Sequence, residues 1–136
     1  MYLLDTNVVS ETRKPRPDPN VTAWLEGVDR DALYVSVLTL GEARKGIARL
    51  RVRDPRGAED IRCWLDDLRR LFADRLLPVD ADVAERWGDL AGAGRTLAVV
   101  DGLLAATALV HGLTLVTRNV ADVESTGVAV LDPWRA

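Results

Sequence analysis

The chain has 136 residues, of which 48% are hydrophobic and 29% are charged, a balance that favours one ordinary globular domain. The single Cys63 excludes an intrachain disulfide, no apolar run approaches the ~18 residues that span a membrane, and the N-terminal residues lack a secretion signal pattern, so we expect a cytoplasmic protein. The net charge of −3 argues mildly against nucleic acid as a ligand, unless several carboxylates share a metal ion that neutralises them.

Short apolar runs alternate with helical patterns along the chain. Strands are predicted over 2–4, 33–37, 76–79, 113–117 and 128–131, and helices over 39–50, 58–76, 81–94 and 100–112. The Pro-rich residues 15–19 are predicted to form a loop between short helices. Strands that alternate with helices imply right-handed crossovers and a mostly parallel sheet covered on both faces. The sequence therefore predicts a single α/β domain over residues 1–136.

Four acidic residues occupy strand ends or helix starts. Asp5 follows the first strand, and Asp122 comes shortly after the fourth. Glu42 lies just inside the predicted helix 39–50 that follows the second strand, where a capping box with Thr39 is the alternative to a ligand role. Asp101 begins a predicted helix and could be a simple N-cap. Asp122 alone would be an ordinary loop aspartate.

These four acids can meet at one edge of the sheet, because parallel strands present their carboxyl ends on the same side. Carboxylates placed close together repel one another, and either protonate or bind a cation. Oxygen ligands without His or Cys select Mg²⁺ or Mn²⁺ rather than zinc, and such ions suit attack on a phosphodiester. The pattern predicts Asp5, Glu42, Asp101 and Asp122 as metal ligands and catalytic residues.

The chain resembles the PIN-domain ribonucleases, and within them the VapC and FitB toxins of bacterial type II toxin–antitoxin pairs. The resemblance runs nearly end to end through LLDTNVVSE (3–11), TLGEARKGI (39–47), VVDGLLAATALVHGLTLVTRN (99–119) and LDPW (131–134). It implies a three-layer α/β/α fold with a central sheet of about five strands. It also implies Mg²⁺- or Mn²⁺-dependent cleavage of RNA that leaves a 5′-phosphate and a 3′-hydroxyl. As partners it implies a homodimer and a VapB-like antitoxin, bound in a heterotetramer or a larger assembly.

The resemblance also assigns roles to individual positions. Asp5, Glu42 and Asp101 match the acidic ligands of the family, and Asp122 matches its more variable fourth acid. In the family this fourth acid is commonly followed by Phe, whereas Asp122 precedes Val123 and lies close to Glu124. The polar residues expected to orient ligands or waters are Thr6, Asn7, Thr117 and Asn119.

Basic residues concentrate in 11–17 and 42–57, where a solvated surface and a phosphate-binding role are both open. The candidates to hold RNA phosphates are Arg13, Lys14, Arg44, Lys45 and Arg118, any of which could instead face solvent or an acidic antitoxin segment.

Two other functions compete with the nuclease. A phosphatase of the haloacid-dehalogenase kind also begins with an aspartate after its first strand, but it usually has a second aspartate two positions later, where this chain has Asn7. Its supporting lysine would follow a later strand, and neither Lys14 nor Lys45 does so. The other rival is a catalytically weak or inactive PIN-like module that binds RNA or protein. The four retained acids favour an active enzyme.

Overall fold

A parallel sheet of short strands forms the centre of the protein. The structure is a computed structural model that describes residues 1–94 and 96–135. All neighbouring strands are parallel, in the order β3-β2-β1-β4-β5. The strands are β1 (Tyr2–Leu4), β2 (Leu33–Ser36), β3 (Leu76–Leu77), β4 (Thr114–Val116) and β5 (Val130–Leu131). Strand β1 is central, so the residue that follows it lies where the strand order reverses, the usual ligand-binding position in such sheets.

Helices connect the strands and cover both faces of the sheet. They are α1 (Thr6–Glu11), α2 (Pro19–Gly27), α3 (Val37–Arg51), α4 (Pro55–Leu71), α5 (Ala81–Gly92), α6 (Val99–His111) and α7 (Val120–Val123). Within the described ranges, no helix combines the length and the apolar character needed to cross a membrane.

The sheet separates two hydrophobic cores, because successive side chains of a strand point to opposite faces. Leu4 of β1 packs in a core with Val8, Val21 and Ile47 from the helices α1 to α3, and α4 contributes to the same core. Leu3 belongs to the other core, which is built largely from α5 and α6. Each fully buried aliphatic side chain contributes about 1.5–3 kcal/mol. The predicted three-layer α/β/α arrangement is confirmed.

Two capping side chains move helix starts from their predicted positions. The hydroxyl of Ser36 accepts a hydrogen bond from the backbone N–H of Leu38 (3.0 Å), so α3 begins at Val37 rather than at 39. The carboxylate of Asp54 accepts from the N–H of Gly57 (3.0 Å), so α4 begins at Pro55 rather than at 58. The helix α4 also ends at Leu71 instead of 76. Predicted strands 33–37, 76–79 and 128–131 are correspondingly longer than the observed ones.

These boundaries remove the capping alternatives for two of the acids. Because α3 begins at Val37, Thr39 is inside the helix and the capping box with Glu42 is wrong. The helix α6 begins at Val99, with Ala98 at the cap position and no side-chain capping bond, so the N-cap alternative for Asp101 is also wrong. Neither acid is accounted for by helix capping.

A close helix contact holds the start of α6 in place. A Cβ added at Gly102 would lie 3.0 Å from Cδ1 and 3.1 Å from Nε1 of the Trp87 ring on α5. A side chain at this position would require the Trp87 ring to shift by a few tenths of an ångström, so glycine suits the close approach of α6 to α5. This contact fixes the backbone immediately after Asp101.

Candidate active site

Asp5 leaves the end of the central strand and starts α1. Its backbone N–H still continues the sheet ladder, donating to the carbonyl of Val116 (2.9 Å). Its Oδ1 accepts from the backbone N–H of Thr6 (2.7 Å), and its Oδ2 accepts from the hydroxyl of Thr117 (2.7 Å). The Asp5 side chain is only 9% exposed, so both carboxylate oxygens are held in one orientation by the protein itself.

A chain of hydroxyl groups connects Thr39 to Glu42 through Thr6. The Thr6 hydroxyl donates to Oε1 of Glu42 (2.5 Å) and lies 3.1 Å from the hydroxyl of Thr39. A hydroxyl has one proton, so Thr39 is the donor in the bond to Thr6. Thr39 is fully buried at 0% exposure. Thr39 on α3 donates to Thr6 on α1, and Thr6 donates back to Glu42 on α3, so this chain of bonds orients the Glu42 carboxylate.

The sequence alone did not identify Thr39 as part of this site. Thr39 lies one helical turn before Glu42, and it was considered only as a helix cap. The signal that could have found it is this i, i+3 spacing, which places both side chains on the same face of α3.

The electrostatics link all four predicted acids. Burial raises the pKa of the Asp5 carboxyl above its usual range; hydrogen bonds from Thr117 and Thr6 oppose this effect, and the charge of Glu42 adds to it. Burial also raises the pKa of Asp101, and the negative charges of Asp5 and Asp122 raise it further. The charges therefore couple Asp5 with Glu42, and Asp101 with both Asp5 and Asp122, while the ligand role of these four acids stays a prediction.

The donor set of this site fits a hard divalent cation. Carboxylates and neutral oxygens are the ligands of Mg²⁺ and Mn²⁺, and mutual repulsion among the acids is relieved by a bound cation. Asn7 adds a buried amide oxygen that has no hydrogen-bond partner. Across residues 1–94 and 96–135, however, no three Asp, Glu, His or Cys side chains already lie in a metal-binding arrangement. The chemistry of the donor set fits the cation.

The other predicted polar residues differ in what they contact. Asn119 acts through its backbone N–H, which donates to the Thr117 hydroxyl (3.1 Å). The exposed Arg118 places its guanidinium 5.2 Å from the centre of the Trp134 ring. Lys14 forms an ion pair with Glu11 (2.8 Å), and Arg13, Arg44 and Lys45 are exposed.

Glu11 is a buried acid that the sequence did not single out. It is 5% exposed, and it accepts from the backbone N–H of Asp18 (2.8 Å) as well as from Lys14. The hydrogen bonds from Lys14 and Asp18 lower the pKa of the Glu11 carboxyl. Glu11 therefore fastens the loop 12–18 to the end of α1, and the spacing of three residues to Lys14 was its only sequence signal.

Comparisons with known proteins find similarity along nearly the whole chain. The PIN domain family matches residues 2–121. Toxin FitB of Neisseria gonorrhoeae is 37% identical over 98% of this chain and 99% of its own length. VapC ribonuclease Y4jK of Sinorhizobium fredii is 36% identical over 98% of both chains. The crystal structure of FitAcB from Neisseria gonorrhoeae contains a chain that is 36% identical, with a TM-score of 0.91 and complete coverage of both chains.

Proposed function

This chain belongs to the PIN domain family, and from that premise we propose that it is the toxin of a type II toxin–antitoxin pair and cuts RNA with Mg²⁺ or Mn²⁺. The relatives named as a toxin and as a VapC ribonuclease support this proposal over nearly the whole chain. The expected partners are a VapB-like antitoxin and a second copy of the chain, in a heterotetramer or a larger assembly.

The observation that carries the proposal is the support given to two carboxylates by separate hydroxyl groups. Thr117 holds Asp5, and Thr6 holds Glu42, although the paired residues are 112 and 36 positions apart in the sequence. Asp5 also caps the start of α1, and a carboxylate held in an ion pair would already be neutralised. No Lys or Arg within the described residues forms an ion pair with Asp5 or Glu42. Oriented, unneutralised carboxylates are what a cation site requires.

Each residue of the site has a distinct task in the proposed reaction. Asp5, Glu42, Asp101 and Asp122 would hold the cation, which when bound supplies charge stabilisation at a phosphodiester and lowers the pKa of water. Thr117 keeps the Asp5 carboxylate in one orientation, and Thr6 does the same for Glu42. Because these bonds exist before substrate arrives, the protein does not have to reorganise the two carboxylates during the reaction.

The proposal is tested by cleavage of pooled RNA with purified protein free of antitoxin, in Mg²⁺, Mn²⁺ or EDTA. We expect cleavage in either metal, none in EDTA, and loss of cleavage in Asp5→Asn. Asp89→Asn is the matched control, because Asp89 is an exposed aspartate on α5 with no described partner. Circular dichroism checks that both variants fold.

Metal binding separates this function from its rivals. Titration calorimetry of the RNA-free protein should show Mn²⁺ binding that Asp5→Asn weakens and Asp89→Asn leaves unchanged. Cleavage that persists in EDTA, or that Asp5→Asn retains, would contradict a carboxylate–metal nuclease. Metal binding without cleavage of any pooled RNA would favour a binding module.

A further inference from the structure

A groove of about 300 Å³ opens beside the candidate active site, between α1, α3 and α4. Thr6 and Glu42, which belong to the acidic site, line this groove. Arg13, Arg53 and Trp64 also line it, together with small and apolar side chains of α3 and α4. The groove and the acidic site are therefore continuous, and a ligand in one lies next to the other.

The two arginines of the groove have no ion-pair partner among the described residues. Arg13 follows α1 and Arg53 lies between α3 and α4, and both are exposed. Neither side chain forms an ion pair or hydrogen bond within residues 1–94 and 96–135. Their surroundings add positive charge, since the chain from 44 to 56 has Asp54 as its single acid and carries exposed Arg44, Lys45, Arg49, Arg51, Arg53 and Arg56. This region departs sharply from the net charge of −3 of the whole chain.

Two arginines beside an aromatic ring are the side chains that commonly bind single-stranded nucleic acid. One guanidinium group can donate two parallel hydrogen bonds to a phosphate. In sites that bind single strands, exposed aromatic rings stack on bases. The volume is at the lower end of the roughly 300–1,000 Å³ typical of small-ligand sites, so the groove suits one nucleotide-sized group. Trp64 is partly exposed where it lines the groove.

We propose that this groove binds the RNA nucleotide adjacent to the cleaved bond, with Arg13 and Arg53 contacting phosphates and Trp64 contacting a base. This inference rests on the proposed function, because it takes RNA as the ligand. An acidic protein segment would satisfy the two arginines as well. RNA is the better match, since it supplies a phosphate and a flat base at every nucleotide and leads directly to Glu42.

The test measures equilibrium binding of a fluorescein-labelled, single-stranded RNA octamer of mixed sequence by anisotropy, in EDTA and across a series of KCl concentrations. For single strands, each lost phosphate contact reduces the slope of log K against log [salt] by about 0.7. Arg13→Gln combined with Arg53→Gln should therefore weaken binding and reduce the slope by about 1.4. Arg69→Gln combined with Arg86→Gln removes the same charge outside the groove and should leave the slope unchanged.

Trp64 is tested by two substitutions that keep an apolar side chain. Trp64→Leu should weaken RNA binding by about fivefold or more, the lower end of the effect of removing a stacked base. Trp64→Phe keeps an aromatic face and should retain most of the affinity. Urea unfolding checks that both variants are folded.

Three outcomes would contradict RNA binding in the groove and leave the proposed nuclease activity unaffected. One is wild-type protein that binds no RNA in EDTA; another is an unchanged salt slope in the Arg13 and Arg53 double variant. A third is an equal effect of the Arg69 and Arg86 control, since general charge would then account for binding. The cleavage assay tests the nuclease activity separately, because the wild-type protein and Asp5→Asn both keep the two arginines.

Discussion

Replacing Thr117 with Val removes the hydroxyl that orients Asp5, and it changes almost nothing in shape. The lost bond to the Asp5 carboxylate, 2.7 Å long, belongs to the class that contributes about 1.5–3 kcal/mol. The bond that the hydroxyl accepts from the N–H of Asn119 is lost as well and contributes about 0.5–1.5 kcal/mol. Thr117 is 1% exposed, so water cannot replace the missing donor. The new methyl group recovers up to about 0.8 kcal/mol. We expect Thr117→Val to lower the free energy of unfolding by about 1–4 kcal/mol at neutral pH in EDTA.

This loss should depend on pH. The Thr117 hydrogen bond lowers the pKa of Asp5, so the folded variant has a higher Asp5 pKa than the folded wild type. Between these two values the folded variant binds more protons, and the stability difference grows as pH rises. The difference is therefore largest above both values and shrinks in acid, where Asp5 is protonated in both proteins.

Urea unfolding in EDTA at several pH values measures the effect, with Thr117→Ser as the control. Serine keeps the hydroxyl and loses only a methyl group, a loss that costs about 0.5–1.5 kcal/mol at every pH. A Thr117→Val penalty that stays constant across the acid range would refute the reasoning, because the hydroxyl would then not act on the ionised Asp5.

Three further predictions follow from named contacts. Thr39→Val should weaken Mn²⁺ binding, measured by calorimetry, several-fold more than Thr39→Ser, because only serine can still donate to Thr6; equal affinities would exclude a positioning role. Gly88→Ala, with nothing within 4 Å of the new Cβ, should stabilise the protein by about 0.5–1 kcal/mol, whereas Gly102→Ala, whose Cβ would press on the Trp87 ring, should be less favourable than Gly88→Ala; urea unfolding would contradict the packing argument if the two changes had equal effects. Asp101→Asn should stabilise the metal-free protein at neutral pH, because the raised pKa of Asp101 makes the folded state lose stability as the pH rises from the ordinary aspartate pKa of 3.8 to the folded value. The gain should vanish below pH 3.8, where Asp101 is protonated in both states, and urea unfolding that shows the same gain there would contradict this cause.

The sequence predicted the elements that depend on local patterns. The apolar residues before Asp5 indicated a strand, and β1 is that strand. The spacing of apolar side chains indicated the long helices, although Ser36 and Asp54 moved two of the starts. Capping moves boundaries because one side-chain hydrogen bond decides where a helix begins, and several nearby residues of the right type compete for that place.

The order of strands and acids along the chain leads to the prediction that four carboxylates lie at one sheet edge, since parallel strands end on the same side. Only the tertiary structure decided which groups hold them. Thr117 reaches Asp5 across 112 positions, and Thr39 acts on Glu42 through Thr6, which lies on another helix. Arg13, Arg53 and Trp64 likewise come together only because α1, α3 and α4 pack around one groove. Hydrogen bonds and grooves depend on ångström-scale distances between remote segments, and such distances are set by packing rather than by any local pattern.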